Sequence, residues 1–254
     1  MVKGVLLDLS GVLYDGDRPV PGAVEAVARL REAGLPVRFL TNSTRSPRRK
    51  LLEKLRKMGF ELEDDELFTP ASAACELLAK RELKAHLLIH PDLEEDFEGV
   101  EGTDSPGAVV VGDAGPYFTF DALNAAFRVL SEGAAFYALA ANRSFRDADG
   151  KLSMDAGAFV AALEYASGTE AEVLGKPAKA FFAAALDDMG VEESEAAIIG
   201  DDAESDVAGA LRAGLGRAVL VQTGKYREGD ETGTDPAPSH VAADLSTAVV
   251  WLLS

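Results

Sequence analysis

One stretch decides the fold: Val5-Leu6-Leu7-Asp8-Leu9-Ser10-Gly11. It places a short apolar run directly before an acidic residue, and a glycine follows three residues later. A run of this kind is typical of a strand that is buried on both faces of a parallel sheet. Ligands bind outside the carboxyl ends of such strands, so Asp8 lies where a binding crevice is expected.

Strands and helices alternate along the rest of the chain. Further apolar runs predict strands at 37–40, 87–89, 108–111, 135–139, 196–199 and 218–221. Amphipathic periodicity, with Ser, Pro or Gly at the ends, predicts helices at 21–34, 46–58, 119–133, 155–168, 177–190 and 203–214. Asp149-Gly150 predicts a turn, and a surface loop is expected at 228–239. The alternation predicts an α/β fold with a doubly wound, Rossmann-like parallel-sheet core.

The middle of the chain has strands and helices of its own. A length of 254 residues suits a core domain with a smaller domain inserted into it. We therefore predict a core formed by residues 1–78 and 175–254, and an inserted α/β cap domain at residues 79–174.

Composition excludes several classes of function. The formal net charge of −18 opposes binding to nucleic acid or to an anionic membrane surface. No apolar run approaches the ~18 residues of a membrane-spanning helix, and the run before Asp8 is too short for the apolar region of a secretory signal. The one cysteine, Cys75, forms no intrachain disulfide and lies in an apolar helical pattern typical of a core residue. We expect a cytoplasmic protein whose ligand is a small molecule.

Polar residues follow three of the predicted core strands. The first strand ends at Asp8, the second is followed by Thr41-Asn42-Ser43-Thr44, and the third by Gly200-Asp201-Asp202, with Asp206 nearby. The carboxyl ends of parallel strands meet at one edge of a sheet, so these side chains should converge. Clustered carboxylates repel one another unless a cation lies between them, and oxygen ligands favour Mg²⁺.

The converging residue types suit phosphoryl transfer. A carboxylate such as Asp8 is a competent nucleophile toward phosphorus, and Thr41 and Asn42 can donate hydrogen bonds to phosphoryl oxygens. Lys176, in Gly175-Lys176-Pro177 at the start of a helix, would neutralise developing charge. Taken singly, an Asp after a strand is more often a turn or cap residue, and a lysine in a loop is usually solvated. Their order and their positions at strand ends favour a shared site.

The same residues resemble the four motifs of the haloacid dehalogenase superfamily. The motifs are Asp8-Leu9-Ser10-Gly11-Val12-Leu13, the strand that ends at Thr41, Gly175-Lys176-Pro177, and the segment from Gly200 to Asp206. The long insertion resembles the larger α/β cap of one subclass, subfamily IIA. Residues 5–14, 161–166 and 222–227 look like the group of phospholysine phosphohistidine inorganic pyrophosphate phosphatases, and equally like a sister group of haloacid dehalogenase-like hydrolases.

The resemblance implies a role for each matching residue. Asp8 would attack phosphorus and also bind Mg²⁺, together with the backbone carbonyl of Ser10 and the carboxylate of Asp201. Asp206 and Asp202 would orient these metal ligands. The residues implied in phosphate binding are Ser10, Thr41, Asn42 and Lys176. The cap would close over the site, and relatives commonly form homodimers through it.

Ser10 departs from the pattern of most phosphatases in this superfamily. They carry there a second Asp that protonates the leaving group and then activates water. Serine is a poor acid or base near pH 7, and general acid–base catalysis contributes roughly 10²–10⁴ in rate. One explanation is a substrate whose leaving group needs no enzymic acid, such as pyrophosphate, phospholysine or phosphohistidine. The alternative is a phosphate-binding regulatory protein with negligible hydrolysis. Metal-free dehalogenation, a third option, is disfavoured by Asp201 and Asp206.

Other polar residues favour structural roles. Asp113 precedes turn residues, and Asp155 is well placed as a helix N-cap. Arg143 lies before a predicted hairpin. For the histidines we expect structural positions as well: His86, His90 and His240.

Overall fold

The computed structural model describes residues 2–100, 102, 106–146 and 151–254, and the chain divides into two compact units. The first unit comprises Met1–Thr41, Leu51–Phe68 and Lys176–Ser254, and the second comprises Asn42–Lys50 and Thr69–Gly175. The domain boundaries expected from the sequence stay a prediction. The two units differ from them at residues 42–50, 69–78 and 175.

Strands and helices alternate in chain order. The strands are β1 Gly4–Asp8, β2 Tyr14–Asp15, β3 Arg18–Pro19, β4 Val37–Leu40, β5 Leu67–Phe68, β6 Ala85–Leu88, β7 Ala108–Val111, β8 Ala135–Ala138, β9 Ser144–Arg146, β10 Leu152–Met154, β11 Glu172–Val173, β12 Ala196–Gly200, β13 Arg217–Val221 and β14 His240–Ala242. The α-helices are α1 Ala23–Glu32, α2 Arg48–Lys57, α3 Pro70–Lys80, α4 Phe120–Ser131, α5 Ala156–Ser167, α6 Lys179–Met189, α7 Gly209–Ala213 and α8 Leu245–Leu252. In the described part of the chain, no helix has the length and apolar character needed to cross a membrane.

The first unit contains a six-stranded parallel sheet in the order β14-β13-β12-β1-β4-β5. Strand β1 lies between β12 and β4, with Leu6 opposite Ile198 and Asp8 opposite Leu40. All five residues of β1 and of β12 are buried. Helices cover both faces of the sheet, which explains why the sequence shows continuous rather than alternating apolar runs. The predicted α/β parallel-sheet core is confirmed.

Alternate residues of the central strands enter different halves of the core. Val5, Leu7 and Phe39 belong to one apolar cluster with α1, α2 and α8, and α1 packs directly against α8. Leu6 and Ile198 point to the other face and are fully buried there. Helix α6 contacts β1, and it buries the side chains of Phe181 and Phe182. This packing holds the carboxyl ends of β1 and β12 side by side.

The second unit is built on a four-stranded parallel sheet in the order β11-β8-β7-β6. Two apolar clusters bury this sheet, one with α3 and the other with α4 and α5. Strands β9 and β10 pair in antiparallel fashion, as expected for the arms of a hairpin. The turn predicted at Asp149-Gly150 lies outside the described residues. The predicted α/β character of the inserted region is confirmed.

Two helix predictions need correction. Helix α2 begins at Arg48 rather than at residue 46, and the amide of Arg48 donates to both carboxylate oxygens of Asp96. The predicted helix at 203–214 is not a single α-helix, because Ala203–Ala208 forms a π-helical segment that continues into α7. Amphipathic periodicity does not separate a π-helix from an α-helix over so few residues.

Candidate active site

Four charged side chains and Thr41 gather at the carboxyl edge of the core sheet. Asp8 ends β1, Thr41 follows β4, and Asp201 follows β12. Asp206 lies in the π-helical segment, and Lys176 precedes α6. All five residues belong to the first unit and are buried, with 1–6% of each residue exposed. Buried charges are rare unless they are paired or bind a metal, so this concentration indicates a functional site.

Lys176 forms the electrostatic centre of this group. Its ammonium donates a short hydrogen bond to Asp8 Oδ1 and lies 2.7 Å from Asp206 Oδ1. Burial alone would lower the pKa of Lys176, but the negative charges of Asp206 and Asp8 outweigh it and raise that pKa. Lys176 therefore stays protonated and holds two carboxylates that belong to different elements.

Three carboxylates of this group could hold a metal ion. Oxygens of Asp8, Asp201 and Asp206 all lie within 4.8 Å of one another. Burial raises the pKa of Asp8 to about 6, although Lys176 partly opposes the shift. Burial and the negative charges of Asp8 and Asp206 raise the pKa of Asp201 to about 8. Asp8 and Asp201 are thus destabilised as anions in the absence of a cation, and buried oxygen ligands of this kind fit Mg²⁺.

The π-helical segment determines where Asp206 lies. The carbonyl of Asp202 accepts hydrogen bonds from the amides of Asp206 at 3.0 Å and Val207 at 3.3 Å. Asp206 Oδ2 in turn accepts from the amide of Asp202 at 3.2 Å. A Cβ atom on Gly200 would lie 2.6 Å from Asp206 Cγ, so only a glycine leaves room for this carboxylate. π-helical turns are often found at functional sites.

Asp202 has a capping role beside the site. Its Oδ1 accepts from the amides of Glu204 at 3.2 Å and Ser205 at 2.9 Å, and its Oδ2 lies 3.1 Å from Lys225 Nζ. Burial opposes the anion, but Lys225 and the hydrogen bond from Ser205 outweigh it and lower the pKa of Asp202. Asp202 is therefore an ionised N-cap. A capping role was the alternative to a functional role that the sequence left open for an Asp after a strand.

A loop after β13 contributes a part of the site that the sequence analysis missed. The amide of Lys225 donates to Asp201 Oδ2 at 2.7 Å, and the hydroxyl of Thr223 donates a short hydrogen bond to the carbonyl of Gly11. Gly224 and Gly11 both have positive φ, 65° and 84°. A Cβ on Gly224 would lie 2.9 Å from Asp201 Cγ and 2.5 Å from Gly11 Cα. The sequence signal that could have identified this loop is the pair Thr223-Gly224, which lies one residue beyond the buried strand β13.

The remaining predicted site residues are not all brought into this group. Ser10 is exposed, and its carbonyl as a metal ligand stays a prediction. Asn42 belongs to the second unit, so its part in phosphate binding also stays a prediction. Tyr14, four residues after Ser10, is buried near Asp8. Burial and the charge of Asp8 raise the pKa of Tyr14 to about 12, so it remains a neutral phenol.

Most of the other singled-out residues have structural partners. Asp155 caps α5, and Asp113 accepts from the amide of Gly115 in a turn. The ring of His90 accepts from the amide of Asp92, and His240 stacks on Trp251. Half-buried His86 lies in β6, where burial lowers its pKa. Burial raises the pKa of Cys75 to about 12, which excludes a reactive thiolate near pH 7. Arg143 is exposed.

Two family models match the chain, one in its N-terminal part and one in its C-terminal part. Residues 5–102 match a model described as haloacid dehalogenase-like hydrolase, and residues 173–248 match one described as HAD-hydrolase-like. The chain is 44% identical to the phospholysine phosphohistidine inorganic pyrophosphate phosphatase of Danio rerio, over 100% of this chain and 95% of the relative. It is 46% identical to haloacid dehalogenase-like hydrolase domain-containing protein 2 of Homo sapiens, over 99% and 96%.

Solved structures agree with these matches. The p-nitrophenyl phosphatase from Archaeoglobus fulgidus superimposes with a TM-score of 0.91 at 29% identity, covering 98% of this chain and 99% of that chain. A glycerol phosphate phosphatase from Mycobacterium tuberculosis, solved in complex with magnesium, gives a TM-score of 0.85 at 26% identity, covering 97% and 76%. The resemblance predicted from the four motifs is confirmed.

Proposed function

The chain belongs to the haloacid dehalogenase-like hydrolase family, and we propose that it is a Mg²⁺-dependent phosphatase with Asp8 as the nucleophile. Its substrate is a small phosphorylated molecule, with pyrophosphate and P–N compounds favoured. The arrangement of Lys176 between Asp8 and Asp206, with Asp201 alongside, is the observation that carries the proposal. The 44% identity to a pyrophosphate phosphatase supports the substrate class.

Asp8 performs the first chemical step. A carboxylate oxygen of Asp8 attacks phosphorus, the bond to the leaving group breaks, and the leaving group departs with the electron pair. Water then attacks phosphorus of the aspartyl phosphate, which releases inorganic phosphate and restores the Asp8 carboxylate. With a pKa of about 6, Asp8 is mostly ionised near pH 7, as a nucleophile must be.

The other buried residues bind and orient the phosphoryl group. Lys176 keeps the Asp8 carboxylate in position and offers positive charge to the phosphoryl oxygens. Thr41 and Asn42 supply hydrogen bonds, and Ser10 contributes to phosphate and metal binding. Asp8, Asp201 and the Ser10 carbonyl hold the metal, while Asp202 and Asp206 orient these ligands. A bound Mg²⁺ would neutralise charge that develops on the phosphoryl oxygens.

Ser10 restricts the leaving group. Neither its hydroxyl nor the phenol of Tyr14, with a pKa of about 12, is an effective proton donor near pH 7. A leaving phosphate has a low pKa and departs as an anion, and a protonated phosphoramidate nitrogen departs without further help. Both pyrophosphate and P–N substrates therefore avoid the step that a missing acid would slow.

Ser10 also supports a second candidate, a phosphate-binding regulatory protein with negligible hydrolysis. The pairing of Lys176 with Asp8 and Asp206 favours an active enzyme. Burial of these three charged groups costs folding free energy, and a catalytic role accounts for their being kept in the site. A cytoplasmic location and a homodimer remain predictions from the sequence.

Phosphate release from a substrate panel tests the proposal. The panel contains pyrophosphate, phospholysine, phosphohistidine and several sugar and nucleotide monoesters, each assayed with Mg²⁺ and with a chelator. We expect Mg²⁺-dependent release that favours pyrophosphate and the P–N compounds. A preference for monoesters would contradict the substrate class. Phosphate binding without release from any compound would establish the regulatory alternative.

A further inference from the structure

Lys225 is an exposed cation at the edge of an otherwise buried acidic site. The side chain of Lys225 is 63% exposed, and its ammonium pairs with Asp202 at 3.1 Å. Its own backbone amide binds Asp201 Oδ2. The ammonium is therefore fixed beside one carboxylate, while the main chain of the same residue holds another. The predicted metal ligands and the phosphate contacts did not include this residue.

The charges around Lys225 do not cancel. Four carboxylates and two ammonium groups lie in the site and at its edge: Asp8, Asp201, Asp202 and Asp206 against Lys176 and Lys225. With all four carboxylates ionised, as metal binding requires, two negative charges are left over. In the described part of the chain, no cationic side chain forms an ion pair with Asp201. Lys176 is already shared by two carboxylates. The excess equals the charge of one divalent cation.

We infer that Lys225 is a positioning residue that sets this charge excess, and that it balances metal affinity against phosphate affinity. Removing its ammonium would raise the excess to three negative charges. The site would then attract Mg²⁺ more strongly, but it would repel an incoming phosphate more strongly as well. The inference rests on the proposed function, because it assumes that one site binds both the cation and a phosphorylated substrate.

Opposite changes in two affinities distinguish this role from simple structural support. A residue that merely held the loop in place would weaken both affinities when replaced. Loss of a partly exposed charge should change each affinity by roughly three- to fivefold. The changes should shrink at high ionic strength, because salt screens exposed charges.

Calorimetric titration of four proteins tests the inference: the wild type, Lys225→Gln, Lys225→Arg and Lys3→Gln. Lys3 is the matched control, because it is 61% exposed and pairs with one carboxylate, Glu195, at 2.7 Å. It precedes β1 at the end of the strand opposite Asp8. Mg²⁺ alone is titrated first, and inorganic phosphate is then titrated at saturating Mg²⁺. The KM for pyrophosphate is measured in parallel.

For Lys225→Gln we expect tighter Mg²⁺ binding, together with weaker phosphate binding and a higher KM. Lys225→Arg should behave as the wild type, and so should Lys3→Gln. Unchanged affinities in Lys225→Gln, or a loss of both, would overturn the inference, as would a wild type that binds no Mg²⁺. Phosphate release by the wild type tests the proposed function separately, since the Mg²⁺ titration needs no turnover.

Discussion

Gly11 and Gly224 lie against the carboxylate of Asp201 from two loops that are distant in sequence. Both have positive φ, which side chains other than glycine adopt at a cost. Their missing Cβ atoms let the carboxylate pass between two backbones, where it accepts a hydrogen bond from Lys225. The orientation of a candidate metal ligand thus depends on residues that carry no charge.

Replacing Gly224 by alanine should damage the site more than the fold. Its Cβ would lie 2.9 Å from Asp201 Cγ and would displace this carboxylate. We expect phosphate release and Mg²⁺ affinity to fall at least about tenfold, since misplaced groups lose catalysis steeply. Gly229→Ala is the control, because Gly229 has φ of 99° but nothing within 4 Å of a Cβ. It should lose about 1–2 kcal/mol of stability and keep its activity. Equal activities in the two variants would contradict the role of the glycine contact.

Single residues also mark the limit of what the sequence could predict. Asp8, Asp201, Asp206 and Lys176 were predicted to share a site because each follows a buried strand or opens a helix, and the structure brings them together. Lys225 was missed because an isolated lysine in a loop carries no periodic or spacing signal. Its importance comes from an amide bond to Asp201, and the backbone direction of a loop is not readable from composition.

The elements that hold the site were predictable to different degrees. Continuous apolar runs identified β1, β4, β12 and β13, because strands buried on both faces need no polar alternation. Strands β5 and β14 were missed, since two or three residues at a sheet edge are too short for a recognisable pattern. The π-helical segment was taken for an α-helix. Periodicity over its six residues does not distinguish a π-helix from an α-helix.

The contact between the end of β12 and the π-helical segment can be tested by a substitution at Gly200. A Cβ on Gly200 would lie 2.6 Å from Asp206 Cγ, so Gly200→Ala should force the two elements apart. We expect a loss of about 1–3 kcal/mol in unfolding free energy and a large fall in phosphate release.

Gly4→Ala provides the comparison, since Gly4 lies at the other end of the sheet. There the three atoms nearest to a Cβ are side-chain ends of Val191 and Met189, at 3.1 Å or more. Chemical denaturation measures the change in unfolding free energy of each variant, and the phosphate assay measures its activity. A Gly200→Ala protein with wild-type activity would show that Asp206 need not be held by this contact.

The whole molecule has an excess of negative charge, and several of its carboxylates lie close together in the candidate active site. The formal net charge is −18, and three carboxylates are buried within 4.8 Å of one another. Such a cluster destabilises the folded protein unless protons or cations neutralise it. Stability should therefore depend on pH and on divalent cations together.

The direction of the pH dependence follows from the raised pKa values. Burial raises the pKa of Asp8 to about 6 and of Asp201 to about 8, above the ordinary value of 3.8. The metal-free folded state holds protons that the unfolded chain has lost, so its stability falls as pH rises from about 4 to about 8. We expect a Tm at least about 2 °C lower at pH 8.5 than at pH 6.5 in chelator.

Mg²⁺ should reverse this trend. It competes with protons for the same carboxylates, so it should raise Tm more at pH 8.5 than at pH 6.5. Asp201→Asn should lose most of the pH dependence and most of the Mg²⁺ effect. Differential scanning fluorimetry across the pH range provides the measurement. A metal-free Tm that rises steadily up to pH 8.5 would contradict the buried cluster as the cause.

The nucleophilic role of Asp8 is most directly tested by phosphate release from pyrophosphate in the wild type and in Asp8→Asn. Both proteins are assayed with saturating Mg²⁺, and their melting temperatures establish that each is folded. We predict at least a ~10³-fold lower rate in the variant, because an amide cannot form the aspartyl phosphate. A folded Asp8→Asn protein that releases phosphate at the wild-type rate would contradict the mechanism.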